Sequence, residues 1–355
     1  MAEIKKPRIY KFDNVKAVLI FLVVVGHMTT DYVSTSHAVR WVTLFIYTFH
    51  MPAFILVSGL MHKQYITLEQ AANGKRGNTK MRWEKFLMFL FCAYALKAFL
   101  YFFRMAIGQN PTWSWYIEPG IPWYLIVMAE YEVLLYLTRK IPAKAMLICS
   151  FVISALIGYL PMVGDAFSLS RMINFLPIYL IGYYMTPQQM LDFCDKKKVK
   201  IAAPIILIAL AAICYFGPWG IYGARMWFTG RRTYEFLDAY LHGVYPWAWA
   251  LRLLVWALAI TFAFAIITIM PNRDMKLVSK VGAKTLNVYF WHRPVCYWIC
   301  GMGVFPTFAK FFHSAPVALI AYIFLALALT IIFALPIFDH PCKDLTKLAN
   351  KICKK

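Results

Sequence analysis

The sequence is dominated by a succession of long apolar segments, each about long enough to cross a lipid bilayer as a helix. Hydrophobic residues make up 61% of the 355 residues, well above the roughly 45–50% apolar content of soluble domains. A spanning helix needs about 20 such residues. We therefore predict an all-α integral membrane protein, a polytopic bundle of about ten transmembrane helices. The predicted spans are roughly 15–36, 40–62, 84–107, 119–138, 144–161, 169–187, 199–217, 246–270, 284–304 and 314–337.

Basic residues between these segments predict how the bundle faces the membrane. Most of the 37 lysines and arginines fall in alternate connections, and such residues concentrate on the cytoplasmic side. Both termini are therefore expected in the cytoplasm. The chain is interpreted as one membrane domain over 1–355, with an N-terminal segment (1–14), a bundle (15–337) and a basic tail (338–355). Because the net charge of +21 is spread between apolar segments, it favours anionic lipids over nucleic acid as partners.

The first segment carries a lysine and a histidine on the same helix face. Lys16 and His27 are eleven residues apart, which is close to three full turns and ~16 Å along a helix axis. If Lys16 marks the cytoplasmic boundary, His27 lies near the middle of the bilayer. An ionisable group there is costly and usually functional. The plain alternative is a histidine that only packs and hydrogen-bonds to a neighbouring helix.

Two further segments contain candidate catalytic groups. His50 lies near the middle of the second span, so on an antiparallel neighbour it can approach His27; alternatively it only orients the first helix. Glu130 lies eleven residues into the fourth span, where it can orient an imidazole or hold its proton. The alternative is a neutral, hydrogen-bonded carboxyl group. Glu132, nearer the predicted cytoplasmic end, is interpreted as a side chain that snorkels to the interface.

Polar residues at the ends of the predicted spans are candidate binding groups. Arg82 and Lys85 are neighbours on one helix face and, with Lys16, can bind a phosphate-bearing thioester carrier, although each cation is also explained as a topology signal. At the predicted outer end of the sixth span, Arg171 and Asn174 can face an acceptor. Tyr179 follows in the sixth span, and the ninth span contains two further candidate polar groups, Asn287 and His292. The connection 217–245 is rich in aromatic residues and arginine, which suits either carbohydrate stacking or an interfacial belt.

These blocks together resemble the acyltransferase-3 family of integral-membrane acyltransferases, in particular its fucose-4-O-acetylase-like branch. Lys16 and His27, preceded by Asp13, match the first-helix signature, and the third-helix Arg-x-x-Arg is matched as Arg82-x-x-Lys85. The other similar blocks are FHMPAFILVSG, PWYLIVMAE, SRMINFLPIYLIGYYM and GAKTLNVYFWH. The matches run in order from residue 12 to 300 and cover most of the chain.

The resemblance implies ten helices and transfer of an acetyl group from cytoplasmic acetyl-CoA to a hydroxyl of a cell-envelope glycan or lipid-linked sugar. A bacterial plasma membrane is the expected location, and no metal is expected. The residues expected to carry the chemistry are His27, Glu130, Asp13 and His50. Those expected to bind the donor are Lys16, Arg82 and Lys85. Those expected to bind the acceptor are Arg171, Asn174, Tyr179 and His292.

Other functions fit parts of the same pattern. Buried histidine and glutamate residues also suit a proton-coupled transporter or flippase of a glycan or small anion, although no repeated halves are evident in the sequence. A membrane scaffold or sensor has no use for such groups. Within the resembling family, an O-succinyltransferase differs by needing a free cation near His27. The sequence leaves a homodimer open.

Overall fold

A computed structural model describes residues 8–62 and 81–354 of the protein, apart from the side chains of residues 219–221. Within these ranges every regular element is helical, and a single bridge joins Ile117 to Ala166. The helices are, in chain order, α1 (Tyr10–Thr29), α2 (His37–His62), α3 (Trp83–Ala106), α4 (Trp123–Leu137), α5 (Ala143–Leu156), α6 (Leu169–Tyr184), α7 (Pro187–Asp195), α8 (Lys197–Phe216), α9 (Ala248–Ile269), α10 (Leu277–Ala283), α11 (Thr285–Gly301), α12 (Val304–Phe312), α13 (Ala315–Phe333) and α14 (Cys342–Cys353). Two shorter helices, Arg225–Phe228 and Tyr234–Asp238, lie between α8 and α9.

Every apolar segment of the sequence contains a helix, so the all-helical membrane fold is confirmed. In the described ranges six helices (α1, α2, α3, α8, α9 and α13) are long and apolar enough to cross a bilayer. Helices α11 and α12 meet the same criterion as a pair, with a bend of 56° between them. Since α4, α5 and α6 are shorter, the count of about ten spans and the cytoplasmic termini stay predictions. The basic residues of that prediction that lie outside the described residues are Lys5, Lys6, Lys63, Lys75, Arg76, Lys80 and Lys355.

Helix α1 begins at Tyr10, earlier than the apolar pattern predicts, because its polar side chains find backbone partners. Lys11 Nζ donates a hydrogen bond to the carbonyl of Thr268 (3.1 Å), and Asn14 Nδ2 donates to the carbonyl of Pro271 (3.0 Å). Thr268 belongs to the last turn of α9, whose carbonyls have no partner inside that helix. The end of the predicted polar N-terminal segment is therefore helical and buried against α9.

Helices α2 and α6 approach each other closely at two glycines. A β-carbon added at Gly59 would collide with the carbonyl oxygen of Tyr179, and one at Gly182 would collide with that of Leu56. Small residues allow membrane helices to pack backbone against backbone in this way. The contact fixes the distance between the two helices.

The C-terminal segment is more than a basic tail. Its helix α14 contacts α3, and Cys342 at its start is 2% exposed. Just before α14, Asp339 accepts hydrogen bonds from Lys284 (2.6 Å) and Asn287 (2.6 Å). The tail is therefore fastened to the beginning of α11.

Three connections meet at one end of the bundle, which we call the loop end: residues 107–122, 157–168 and 217–247. Asp165 joins them, because its carboxylate accepts hydrogen bonds from Arg231 Nε (2.8 Å) and Arg171 Nη2 (3.4 Å). Its backbone carbonyl accepts a further bond from the amide of Glu118 (2.9 Å). Helix α6 is thereby linked through Arg171 and Asp165 to all three connections.

Part of the aromatic connection 217–247 is buried. Trp227 and Tyr234 are 2% and 0% exposed, and their rings stack with centroids 5.7 Å apart. The guanidinium of the buried Arg252 lies 5.5 Å from the Trp227 ring. These two rings stabilise the connection, so they form neither a carbohydrate-stacking surface nor an interfacial belt. The side chain of Trp219, which belongs to the same prediction, lies outside the described part of the chain.

Candidate active site

His27 and His50 line one cavity of about 370 Å³. His27 lies two residues before the end of α1 at Thr29, and His50 lies near the middle of α2. Thr112 and Pro119 belong to the cavity wall and are exposed, so the cavity reaches the surface at the loop end. The structure thus brings the two imidazoles into one space. His27 lies closer to the loop end than to the middle of α1, because α1 ends at Thr29.

Lys16 lies outside the wall of this cavity. It is half-buried, about 16 Å from His27 along α1, and forms an ion pair with Asp13 (3.0 Å). Asp13 also pairs with Arg8 (2.7 Å). Because Asp13 and His27 are about 21 Å apart on the same helix, Asp13 contacts Lys16 and not the imidazole. The shared face of Lys16 and His27 therefore does not give them a place in the same cavity.

Two of the histidines have a defined hydrogen-bonding state. His50 Nδ1 lies 2.8 Å from the carbonyl oxygen of Ile46, and His292 Nδ1 lies 3.0 Å from that of Val288. A carbonyl oxygen only accepts, so we assign the proton of each neutral ring to Nδ1, which makes Nε2 the acceptor. His292 is fully buried, and its Nε2 has no hydrogen-bond partner in the described structure. Its ring lies 5.4 Å from that of His27, centroid to centroid.

Cations dominate the wall of the cavity. Glu118 in the wall pairs with Lys97 (3.1 Å), and Asp165 behind it pairs with Arg171 and Arg231. The other guanidinium groups of the wall form no ion pair with any residue that the structure describes. They belong to Arg104, Arg225, Arg232 and Arg293. The cavity therefore carries a net positive charge.

Aromatic rings contact these guanidinium groups, and Arg104 Nε also donates a hydrogen bond to Gln109 Oε1 (2.7 Å). The Tyr297 ring lies 4.0 Å from the guanidinium of Arg293 and 5.5 Å from that of Arg104. Arg225 lies 5.0 Å from the ring of Tyr47, another residue of the cavity wall. A ring face attracts a cation electrostatically but brings no negative charge. The arginines are thus fixed in place while their charge stays available.

A second polar cluster lies where α2 ends and α3 begins. Glu132 is 5% exposed, and its carboxylate lies 3.5 Å from His62 Nδ1 and 3.7 Å from Arg82 Nη1. The Tyr179 hydroxyl is 2.7 Å from the same nitrogen of His62. The prediction that Glu132 snorkels is therefore wrong, because its carboxylate is buried and paired. Tyr179 faces this cluster and not the His27 cavity, and His62 is a member that the sequence analysis missed.

The remaining predicted site residues are dispersed. Glu130 is half-buried on α4 and is not part of the cavity wall; its Oε2 is buried without a hydrogen-bond partner in the described structure. Lys85 is half-buried in the first turn of α3. Asn174 Nδ2 donates to the carbonyl of Gly230 (3.0 Å) and so holds the connection 217–247. Of the predicted acceptor-binding residues, Arg171 lies in the cavity wall, where it also donates to a backbone carbonyl.

Arg104 and Arg293 were not singled out from the sequence, whereas Arg225 belongs to the arginine-rich connection that was considered as a carbohydrate site. Arg293 follows His292 in an apolar helix, and a charge in such a helix is a usable signal. Arg104 and Arg225 lie at the end of α3 and in the connection 217–247. Nothing in the local sequence at these two positions indicates that they meet His27.

A family model described as an acyltransferase domain, that of the acyltransferase-3 family, matches residues 9–338. The match covers nearly the whole chain, so the protein belongs to this family and is a multi-pass membrane acyltransferase. No curated protein and no solved structure matches the chain.

Proposed function

We propose that the protein transfers an acetyl group from acetyl-CoA to a hydroxyl of a cell-envelope glycan or lipid-linked saccharide, in the plasma membrane of a bacterium. The observation that carries this proposal is the cavity in which His27 and His50 face a common, surface-connected space. Membership of the family supplies acyl transfer. The resemblance to the fucose-4-O-acetylase-like branch supplies the donor and the class of acceptor.

The imidazole of His27 supplies the base. In its neutral form it takes the proton of the acceptor hydroxyl while the hydroxyl oxygen attacks the thioester carbon. The tetrahedral intermediate then collapses, the carbon–sulfur bond breaks, and the thiolate of CoA receives the proton. In the other route the imidazole nitrogen attacks the thioester carbon first, the carbon–sulfur bond breaks, and the thiolate of CoA leaves. The acceptor hydroxyl then attacks the acetyl carbon, the imidazole leaves, and the hydroxyl proton passes to the thiolate. Both routes need His27 to be unprotonated.

Two neighbours of His27 suit supporting roles. With its Nδ1 bonded to the carbonyl of Ile46, His50 has Nε2 left to accept a hydrogen bond from a substrate hydroxyl. Arg293 lines the same cavity, and a fixed guanidinium stabilises the negative charge that develops on the thioester oxygen. Glu130 and Asp13 stay proposals for residues that orient the site, Asp13 through Lys16.

The donor and the acceptor would use opposite parts of the bundle. We assign the phosphates of acetyl-CoA to Lys16, Arg82 and Lys85, and the acceptor to the loop end, where Arg171 lines the cavity. Asn174 would act by holding the connection over the cavity, and His292 by its contact with His27. Tyr179 is the assignment with least support from its contacts, which are to the cluster around His62.

The test is thiol release from labelled acetyl-CoA by the purified protein, with an extract of envelope glycans and lipid-linked saccharides supplied as acceptor. We expect His27→Ala to keep expression and to abolish acetylation, whereas His242→Ala, which removes an exposed histidine of the connection 217–247, keeps full activity. Near-normal turnover by His27→Ala would reject the assignment of His27. Absence of thiol release by the wild-type protein would favour a transporter instead.

A longer acyl group is the second candidate, and Arg293 favours it. A succinyl group ends in a carboxylate, which needs a cation near the reacting imidazole, and the Arg293 guanidinium lines the cavity of His27 without an ion-pair partner in the described ranges. Comparing thiol release from acetyl-CoA and succinyl-CoA separates the two. A preference for succinyl-CoA that is lost in Arg293→Gln would assign the protein to O-succinyl transfer.

A further inference from the structure

The cavity around His27 contains more positive charge than the described protein neutralises. Arg104, Arg225, Arg232 and Arg293 each contact an aromatic ring and no carboxylate of the described residues. The Nε atom of Arg225 is also buried without a hydrogen-bond partner. These four side chains are half-buried, and Arg104 Nε also donates a hydrogen bond to Gln109 Oε1 (2.7 Å). A charge that is partly removed from water is costly unless it is paired. An anionic ligand would supply the missing partner.

Two of these cations come from the loop end of the bundle. Arg104 belongs to the last turn of α3, and Arg225 begins the first short helix of the connection 217–247, so both approach the cavity from the loop end. Arg171 Nη1, also on this side, is buried without a hydrogen-bond partner. A ligand that enters at the loop end is therefore in the same cavity as these guanidinium groups and the imidazole.

The same wall offers surfaces for a sugar ring. Trp113 and Trp123 both line the cavity. The Trp123 ring is stacked on Phe175 (5.6 Å between centroids) and lies 5.1 Å from the guanidinium of Arg171, so Trp113 is the ring that we assign to a sugar. Flat aromatic faces pack against the apolar face of a pyranose. Guanidinium groups bind phosphate and carboxylate through paired, charge-assisted hydrogen bonds. The two kinds of group together suit a saccharide that carries an acidic substituent.

We propose that the acceptor is an anionic saccharide whose phosphate or carboxylate group binds Arg104 and Arg225 while its hydroxyl reaches His27. This inference rests on the proposed function, because it names the acceptor class of the same site. The phosphate groups of CoA are also anions that guanidinium groups bind. The acceptor is the favoured source, because both tryptophans line the same cavity as the arginines and the proposed donor residues lie outside this wall.

Binding measurements without acetyl-CoA test the proposal independently of turnover. The protein is placed in nanodiscs of phosphatidylcholine, which is zwitterionic and has no net charge. It is then titrated by calorimetry with glucose 1-phosphate, glucuronic acid, glucose and coenzyme A. We expect glucose 1-phosphate or glucuronic acid to bind at least tenfold more tightly than glucose. Arg104→Gln and Arg225→Gln should each raise the Kd for that ligand about tenfold or more, because a hydrogen bond to a charged group is lost.

Matched variants keep the test interpretable. Arg139→Gln is the control, because Arg139 also stacks on a tyrosine, Tyr136 (4.2 Å), but lies outside the cavity wall; its binding should equal that of the wild type. Arg104→Lys keeps the charge and should retain part of the affinity even if Arg104→Gln folds poorly.

Each outcome decides the question. Equal affinities for glucose and its charged analogues, or unchanged binding in both arginine variants, would overturn the proposal. If coenzyme A binds through these arginines and the charged sugars do not, the acceptor assignment is overturned and the anion site binds the donor. A response only when phosphatidylglycerol replaces phosphatidylcholine would give it to a lipid and overturn the proposal. Binding of a charged sugar without thiol release would support the anion site. It would contradict only the proposed acetyl transfer.

Discussion

The imidazole rings of His27 and His292 lie 5.4 Å apart at an angle of 34° to each other. His292 comes from α11 and His27 from α1, so two helices far apart in the chain meet at this point. Because the Nδ1 of His292 is bonded to the carbonyl of Val288, its Nε2 is available to accept the ring N–H of His27. Such a bond would fix which nitrogen of His27 carries the proton and leave the other free to act as a base.

We predict that His292 is a positioning residue. In His292→Phe the acceptor is lost, and kcat for thiol release should fall roughly tenfold to a hundredfold with little change in KM, because only the orientation of the base is affected. His292→Gln keeps an acceptor oxygen and should recover part of the rate. Steady-state kinetics of both variants checks this, and a wild-type kcat in His292→Phe would contradict it.

The glycine contact between α2 and α6 gives a prediction of stability. In Gly59→Ala and Gly182→Ala the new methyl group meets a backbone carbonyl of the opposite helix, and overpacking of this kind typically costs about 1–3 kcal/mol. Thermal unfolding in detergent should therefore show a lower Tm for each variant. Gly164→Ala is the control, since a β-carbon there would have no neighbour within 4 Å. A Tm equal to that of Gly164→Ala would rule out the close approach.

Asp339 gives a prediction of pH dependence. Its hydrogen bond from Lys284 is the main reason that the pKa of its carboxyl group lies below the usual 3.8. A depressed pKa stabilises the fold above the unfolded-state pKa, and this stabilisation is lost as the pH falls through the folded-state pKa. The Tm difference between wild type and Asp339→Asn should therefore be largest at neutral pH and shrink below about pH 4.

The control for this measurement is Asp195→Asn. Asp195 pairs with Lys200 (2.9 Å), but both side chains are more than half exposed, so solvent and salt screen the pair. We expect a smaller change in Tm for this variant, and one that disappears in high salt. A Tm difference for Asp339→Asn that stays constant from pH 7 to pH 3 would argue against the ion pair with Lys284.

Much of the helical fold could be predicted, because the length of an apolar segment indicates whether it can cross a bilayer as a helix. The polar start of α1 was missed for a physical reason. Lys11 and Asn14 look like residues of a solvated tail until the carbonyls at the end of α9 are placed beside them. Glu132 was misjudged in the same way, since its partners His62 and Arg82 come from other segments of the chain.

The candidate site was partly accessible to sequence reasoning. The approach of His27 and His50 follows from two neighbouring antiparallel helices, and His292 was recognisable as a buried polar group. Of the guanidinium groups of the wall, Arg171 was recognised as a candidate, but the position of Arg225 was not, because Arg225 reaches the ring of Tyr47 only through the folding of a connection that has few regular elements. Local periodicity carries no information about such a contact.

Lys16 and the mouth of the His27 cavity lie toward opposite ends of α1. If the donor binds near Lys16, as we propose, the activated group enters the protein on one face of the bilayer and leaves it, joined to the acceptor, on the other. The reaction would then itself be vectorial. A cell with such an enzyme would need no separate exporter for the thioester, and the supply of the donor on one face would set the rate of decoration on the other.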